Sequence, residues 1–241
     1  MRLSVPRALL CVMLLSMCTG LLSAPATAAS APARSTRNVT LGGVHVGLRA
    51  GTTQVVTVNH TRGYHARIAY WTHTAGGWHR RFSSNDGRIG YGGLVRGSRR
   101  QQGTGTTPLG TYGLISAFGM HPRQAGWALP YRRVHKGDYW VEDNGSRFYN
   151  RYRNKRSGGF RWWLKSGENT SERLLSYRQQ YEWAIVTSFN RNQVRHRGAG
   201  IFLHVNGSGA TAGCVSGPRW FIRDLIGKLA PDGHPVIAVA R

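Results

Sequence analysis

The chain holds 241 residues, 33 of them Lys or Arg against 9 Asp or Glu, for a net charge of +24. Eight tryptophans, 10 tyrosines and a hydrophobic fraction of 40% give apolar area for one domain with a sizeable core. So lopsided a charge calls for an anionic neighbour: nucleic acid, an acidic membrane face or a cell-wall polyanion.

The chain opens MRLSVPRALLCVMLLSMCTGLLSAPATAAS. Arg2 and Arg7 make a basic start, Ala8 to Leu22 an apolar run, and Ala26-Thr27-Ala28 a small-residue cleavage site, which together predict a secretory signal over residues 1–29. The apolar run falls short of the roughly 20 residues of a membrane span, so the mature chain is expected to carry no transmembrane segment. Cleavage would take Arg2, Arg7, Cys11 and Cys18, leaving a charge of +22 and Cys214 as the one thiol. A lone thiol excludes an internal disulfide; it pairs between chains, reacts, or lies buried and inert. Export also turns the charge away from nucleic acid and toward anionic wall polymers.

Residues 30–39, SAPARSTRNV, read as a linker, and 40–241 as one domain. From there the texture is short strands punctuated by glycine. TQVVTVN (53–59), ARIAYWT (66–72), EWAIVTSF (182–189), GIFLHV (200–205) and HPVIAVA (234–240) carry β-branched and aromatic residues in the strand manner. One helix is signalled in SGPRWFIRDLIGKLAPDG: Ser216 as N-cap, Pro218 in the first turn, and Phe221, Leu225 and Leu229 recurring every fourth residue. The expected architecture is mainly β, a mostly antiparallel sandwich or partly open barrel with a C-terminal helix and a last strand.

Chemistry concentrates in IFLHVNGSGATAGCVSGPRW (201–220). A strand ending near His204, a turn through NGSG and a return through ATAGC can bring His204 beside Cys214. With a helix starting just after it, Cys214 is expected at an N-terminus that favours a thiolate. A neighbouring imidazole would take the thiol proton, and the N–H groups of Gly213 and Cys214 would face a developing oxyanion. One Cys and one nearby His fall short of a zinc site. Gly207-Ser208-Gly209 lacks the spacing of a serine nucleophile elbow.

These residues resemble the catalytic signature of L,D-transpeptidases, the YkuD-like domains of bacterial cell-wall enzymes. His204 matches the family histidine, Thr211 its Ser/Thr, Gly213-Cys214 its Gly-Cys, and Val215 the apolar position that follows. Upstream, GTGTTPLGTYGL (103–114) resembles the family's Thr-Pro-x-Gly-x-aromatic turn through Thr107, Pro108, Gly110 and Tyr112. Between the two motifs, DYWVEDNGSRFYNRY and YEWAIVTSFN resemble segments of a divergent secreted actinobacterial-type branch, so the resemblance runs from about residue 50 to the C-terminus. Ala212 stands where most members have a second histidine, Ser216 replaces the usual Arg or Asn, and the His204-to-Cys214 loop is shorter than usual.

The resemblance implies a YkuD-like β-sandwich or open barrel of mixed sheets. It implies that Cys214 attacks the third residue of a peptidoglycan tetrapeptide stem, with His204 as acid and base and Gly213 and Cys214 as oxyanion donors. Thr211 and Asn206 would support them, and no cofactor or metal is needed. An amine acceptor gives a cross-link between third residues or a related wall attachment; water makes the enzyme an L,D-carboxypeptidase. Trp140, Tyr149 and Asn150 would line a groove for the stem or else belong to the core, and Thr107, Pro108 and Gly110 would shape a turn. The basic stretch 191–200 would attract stem carboxylates or wall polyanions, or be a plain solvated loop. A different class stays open: a secreted, non-catalytic basic module that binds the wall.

Overall fold

The computed structural model describes residues 37–241. The expected signal segment lies outside the described residues, as does most of the expected linker; its last three residues, 37–39, instead open the first strand. In chain order the strands are β1 (Arg37–Leu41), β2 (Val44–Leu48), β3 (Gln54–Arg62), β4 (His65–Thr74) and β5 (Gly77–Arg88). Then come β6 (Leu94–Arg96), β7 (Thr107–Gly119), β8 (Tyr131–Arg133), β9 (Asp138–Trp140) and β10 (Tyr152–Asn154). After β11 (Glu172–Arg173), β12 (Trp183–Thr187), β13 (Phe202–Val205) and β14 (Val215–Gly217) follow one α-helix, α1 (Arg219–Ile226), and β15 (Val236–Ala240).

The main sheet runs β12-β13-β14-β5-β4-β3-β15-β7, and β12 pairs again with β7, so eight strands close into a barrel-like sheet. Closure corrects the expectation of a sandwich or partly open barrel, and the reason is the length of β7. Its first half pairs with β15 through Gly110 to Gly113, and its second half pairs with β12 from Leu114 to Gly119. One 13-residue strand thereby joins two edges that would otherwise face solvent as unpaired backbone. Four pairings are parallel: β13 with β14, β15 with β3, and β7 with both β6 and β8. The five strand-like stretches seen in the sequence are β3, β4, β12, β13 and β15.

Period-two alternation sorts the strands into two apolar faces. Val56, Ile68, Ile185, Leu203, Val205 and Ile237 pack with Phe221, Ile222, Leu225 and Ile226 of α1. Fully burying each such side chain stabilises by roughly 1.5–3 kcal/mol, which is what holds a helix of only two turns in place. The opposite face of β12 and β13 presents Ala184, Val186 and Phe202 to a second cluster that includes Phe118, Trp140, Tyr149, Leu174, Tyr181 and Cys214. A small sheet, β10-β9-β11, supplies Trp140 to this side. The thiol therefore sits on the face away from α1.

Candidate thiol site

The segment between β13 and β14 returns parallel to its own strand, with Leu203 beside Val215 and His204 beside Ser216. Its path is stitched to residues 89–91: Thr211 N–H donates to Ile89 O at 3.0 Å, and Tyr91 N–H donates to Thr211 O at 2.9 Å. Two buried threonines then fix the Gly213-Cys214 backbone. Thr211 Oγ1 donates to Cys214 O at 2.6 Å and accepts Gly213 N–H at 3.1 Å. Thr107 Oγ1 accepts Gly90 N–H at 2.8 Å and donates to Gly213 O at 2.8 Å. Thr107 is thus more than a turn-former; it is the strut under the thiol loop. Gly213 has φ +127°, and a Cβ there would lie 2.8 Å from Arg100 Nη2 and 2.9 Å from Thr106 O. Only glycine fits so close an approach.

Cys214 is 8% exposed. Its Sγ–H donates to Gly200 O at 3.1 Å, and Sγ accepts Phe202 N–H at 3.3 Å. Burial pushes the thiol well above the ordinary range, and the nearby Glu172 carboxyl adds to the rise; the Phe202 N–H and Arg100 oppose it. The expected low-pKa thiol at a helix N-terminus is corrected. Strand β14 intervenes, α1 begins only at Arg219, and its N-cap is Pro218 rather than Ser216. Ser216 is buried in β14 and donates its hydroxyl to Asn206 Oδ1 at 2.7 Å. Asn206 in turn donates to Asp86 O at 2.9 Å and Asp86 Oδ2 at 3.0 Å, tying down the turn after His204.

His204 is 6% exposed and shares the Cys214 face. Its Nδ1 lies 2.8 Å from Val205 O, an acceptor only, so Nδ1 carries the proton and Nε2 the lone pair. Burial lowers the imidazole to about 4, which keeps it neutral at physiological pH. No hydrogen bond joins it to Cys214. Cys214 precedes the paired residue Val215 and His204 follows Leu203, so the two stand two residues out of step, roughly 7 Å along the strands. Both line one cavity of about 740 Å³, together with Arg100, Glu142, Glu172 and Tyr181.

The expected oxyanion pair is halved. Gly213 N–H is taken by Thr211, whereas Cys214 N–H makes no hydrogen bond among the described residues. The expected groove residues lie beneath the site instead of lining it. Trp140 Nε1 donates to Asn150 Oδ1 at 2.8 Å, and Asn150 also accepts Gly200 N–H at 3.1 Å. Tyr149 is 0% exposed, accepts Gly198 N–H at 2.9 Å and donates to Gln102 Oε1. These three hold the 198–200 backbone on which the thiol rests.

Sequence reasoning passed over Arg100, Glu142, Glu172 and Tyr181. Arg100 is 5% exposed; its Nε donates to Thr106 O at 2.7 Å and its Nη1 to Arg197 O at 3.1 Å. Tyr181 packs edge-on against the His204 ring and donates its hydroxyl to Glu172 Oε1. The signal available was scarcity, since carboxylates are so few in this chain. Among the described residues no three His, Cys, Asp or Glu converge as metal ligands, and no helix is long and apolar enough to cross a membrane. Comparison with family models, curated proteins and solved structures finds no match.

Proposed function

We propose that the chain is an exported cysteine acyltransferase of the L,D-transpeptidase type, acting on peptidoglycan tetrapeptide stems. The observation that carries the reading is a thiol and a neutral imidazole with a bare Nε2 lining one cavity, their backbone held by buried threonines from both matched motifs. In this reading the stem carbonyl enters between the two groups. His204 Nε2 takes the Cys214 proton as Sγ attacks, and returns it to the departing amine of the terminal residue. The negative oxygen is met by Cys214 N–H, with Arg100 as the nearby cation; an oxyanion donor of this kind is typically worth about 3 kcal/mol. An acceptor amine then attacks the thioester and gives an amide cross-link, while water gives a trimmed stem.

Residues 191–200 contain Arg191, Arg195 and Arg197 and supply positive charge near the cavity wall for stem carboxylates and wall polymers. The test is intact-mass spectrometry of the mature chain, residues 30–241, in which Cys214 is the one thiol, after incubation with a carbapenem, a β-lactam that acylates nucleophilic thiols of this type, beside Cys214→Ala. A one-to-one adduct on the native chain alone supports the reading. A folded native chain that stays unmodified overturns it in favour of a wall-binding module, the reading that Ala212 and the raised thiol pKa favour.

A further inference from the structure

The acidic residues of this chain are so few that each can be accounted for. Asp86, Asp143, Glu168, Glu182 and Asp224 each have an Arg or His partner. Asp138 accepts from His135 N–H and from Tyr152 and Asn154, and Asp232 accepts Gly233 N–H. Two remain. Glu142 and Glu172 form no ion pair among the described residues, although 33 Lys and Arg are present in the chain. Among the described residues the carboxylate of Glu142 accepts no hydrogen bond, and Glu172 accepts only that of Tyr181. Both line the Cys214 cavity.

They also converge on one point. A Cβ on Gly200 would lie 3.0 Å from Glu142 Oε1 and 3.6 Å from Glu172 Oε2, and the carbonyl of that same Gly200 receives the thiol proton. The two carboxyls therefore stand one residue from Sγ. Beside these half-buried carboxyls, two buried groups line the cavity and keep polar atoms unpartnered among the described residues: His204 with its bare Nε2, and Arg100, whose Nη2 lies against Gly213 without an acceptor. Arg100 lowers Glu142 only through space: none of its nitrogens is hydrogen-bonded to either carboxyl, and Nε and Nη1 are committed to Thr106 O and Arg197 O.

Two adjacent carboxyls facing a polar cavity, short of a cation inside a strongly cationic protein, are matched by a cation from outside. We infer that Glu142 and Glu172 form an ammonium-binding subsite that seats the amine of the acyl acceptor beside the Cys214 thioester. The assignment of that amine as acceptor rests on the acyl-transfer reading. Burial, and for Glu142 the neighbouring Glu172, raises both carboxyls, so an arriving ammonium favours the ionised form and gains a neighbour able to take its proton. The ammonium passes one proton to the ionised carboxylate, and its freed lone pair attacks the thioester carbonyl. The C–S bond breaks as the amide forms, and a second amine proton returns to Sγ by way of His204 Nε2.

The test reads occupancy without requiring turnover. The chain without the expected signal, residues 30–241, is labelled at its one thiol, Cys214, with methyl methanethiosulfonate at pH 9, followed by intact mass, in the presence of n-butylamine or of n-butanol. Butylammonium should slow labelling in a saturable way, about fivefold at roughly four times its dissociation constant. Butanol should not, and Glu142→Gln combined with Glu172→Gln should abolish the protection. Equal protection by butanol, or protection that survives in the double variant, overturns the subsite. The native-chain comparison of amine with alcohol decides the matter even if the variant does not fold. A carbapenem adduct without amine protection removes this subsite and leaves acyl transfer standing. Protection without an adduct removes acyl transfer and leaves the ammonium site.

Discussion

Replacing Thr107 with Val deletes one hydroxyl and keeps the shape. That hydroxyl is completely buried and serves two backbone groups with no other partner: Gly90 N–H at 2.8 Å and Gly213 O at 2.8 Å. Its third contact, Cys214 O at 3.2 Å, is still served by Thr211 Oγ1 at 2.6 Å, so it adds little. Stranding two buried polar groups costs about 1–3 kcal/mol each, hence about 2–6 kcal/mol in all, a large share of the ~5–15 kcal/mol of a typical domain. Thr107→Ser keeps the hydroxyl and loses a methyl, which costs about 1 kcal/mol. Urea unfolding of the three proteins measures the differences, and intact-mass acylation of Cys214 shows whether the thiol loop has moved. The expected order is native, then Ser, then Val, with acylation lost in Val before the fold is. A Val variant within about 1 kcal/mol of native, and still acylated, would refute the assignment of Thr107 as the strut of the loop.

The Gly213→Ala variant places a Cβ against Arg100 and Thr106 at φ +127°, so acylation should fall at least about tenfold while circular dichroism stays native-like. His204 folds as the neutral ring, with its pKa lowered from 6.5 to about 4; stability should therefore fall as pH drops through that window, by up to about 3 kcal/mol. In His204→Gln, urea titrations at pH 7 and pH 4 should show that slope reduced by a comparable amount. Retention of the chain on isolated peptidoglycan should weaken steadily with added salt, because its positive charge is screened beyond roughly 10 Å at 0.1 M; salt-independent retention would assign binding to the cavity alone.

Local patterns in the sequence were legible where a local cause decides the outcome. Val55, Val56, Val58 and Ile68 are β-branched, and they lie in strands; Phe221 and Leu225 recur at helical spacing, and they lie in a helix. The exchange of cap for strand at Ser216 shows where this stops. Ser-Gly-Pro ahead of an apolar repeat is a sound local helix start, yet the parallel pairing of His204 with Ser216 draws the residue into β14 and moves the cap to Pro218. Barrel closure was equally out of reach, since nothing local says that one strand will serve two neighbours. The short return puts Cys214 and His204 on one face and one cavity wall, though the expected side-by-side placement gives way to a two-residue offset along the strands. Arg100, Glu142 and Glu172 come from separate elements far along the chain, and only tertiary folding gathers them.

That gathering changes the chemistry the pair can perform. A thiol raised by burial and carboxylate charge, sharing a cavity with an imidazole lowered to about 4 but not hydrogen-bonded to it, does not rest as a thiolate–imidazolium ion pair. Under the acyl-transfer proposal, the thiol proton would therefore leave as the carbonyl carbon is attacked, with negative charge developing on the substrate oxygen beside Cys214 N–H and Arg100 instead of accumulating on sulfur. It follows that resting Cys214 should alkylate slowly with iodoacetamide at pH 7, slower than free cysteine, while a strained amide carbonyl that brings its own oxyanion acylates it readily. Stopped-time mass spectrometry with both reagents gives the two rates. If iodoacetamide reacts at pH 7 as fast as with free cysteine or faster, the thiol is preformed as thiolate, and the concerted proton transfer to His204 is wrong.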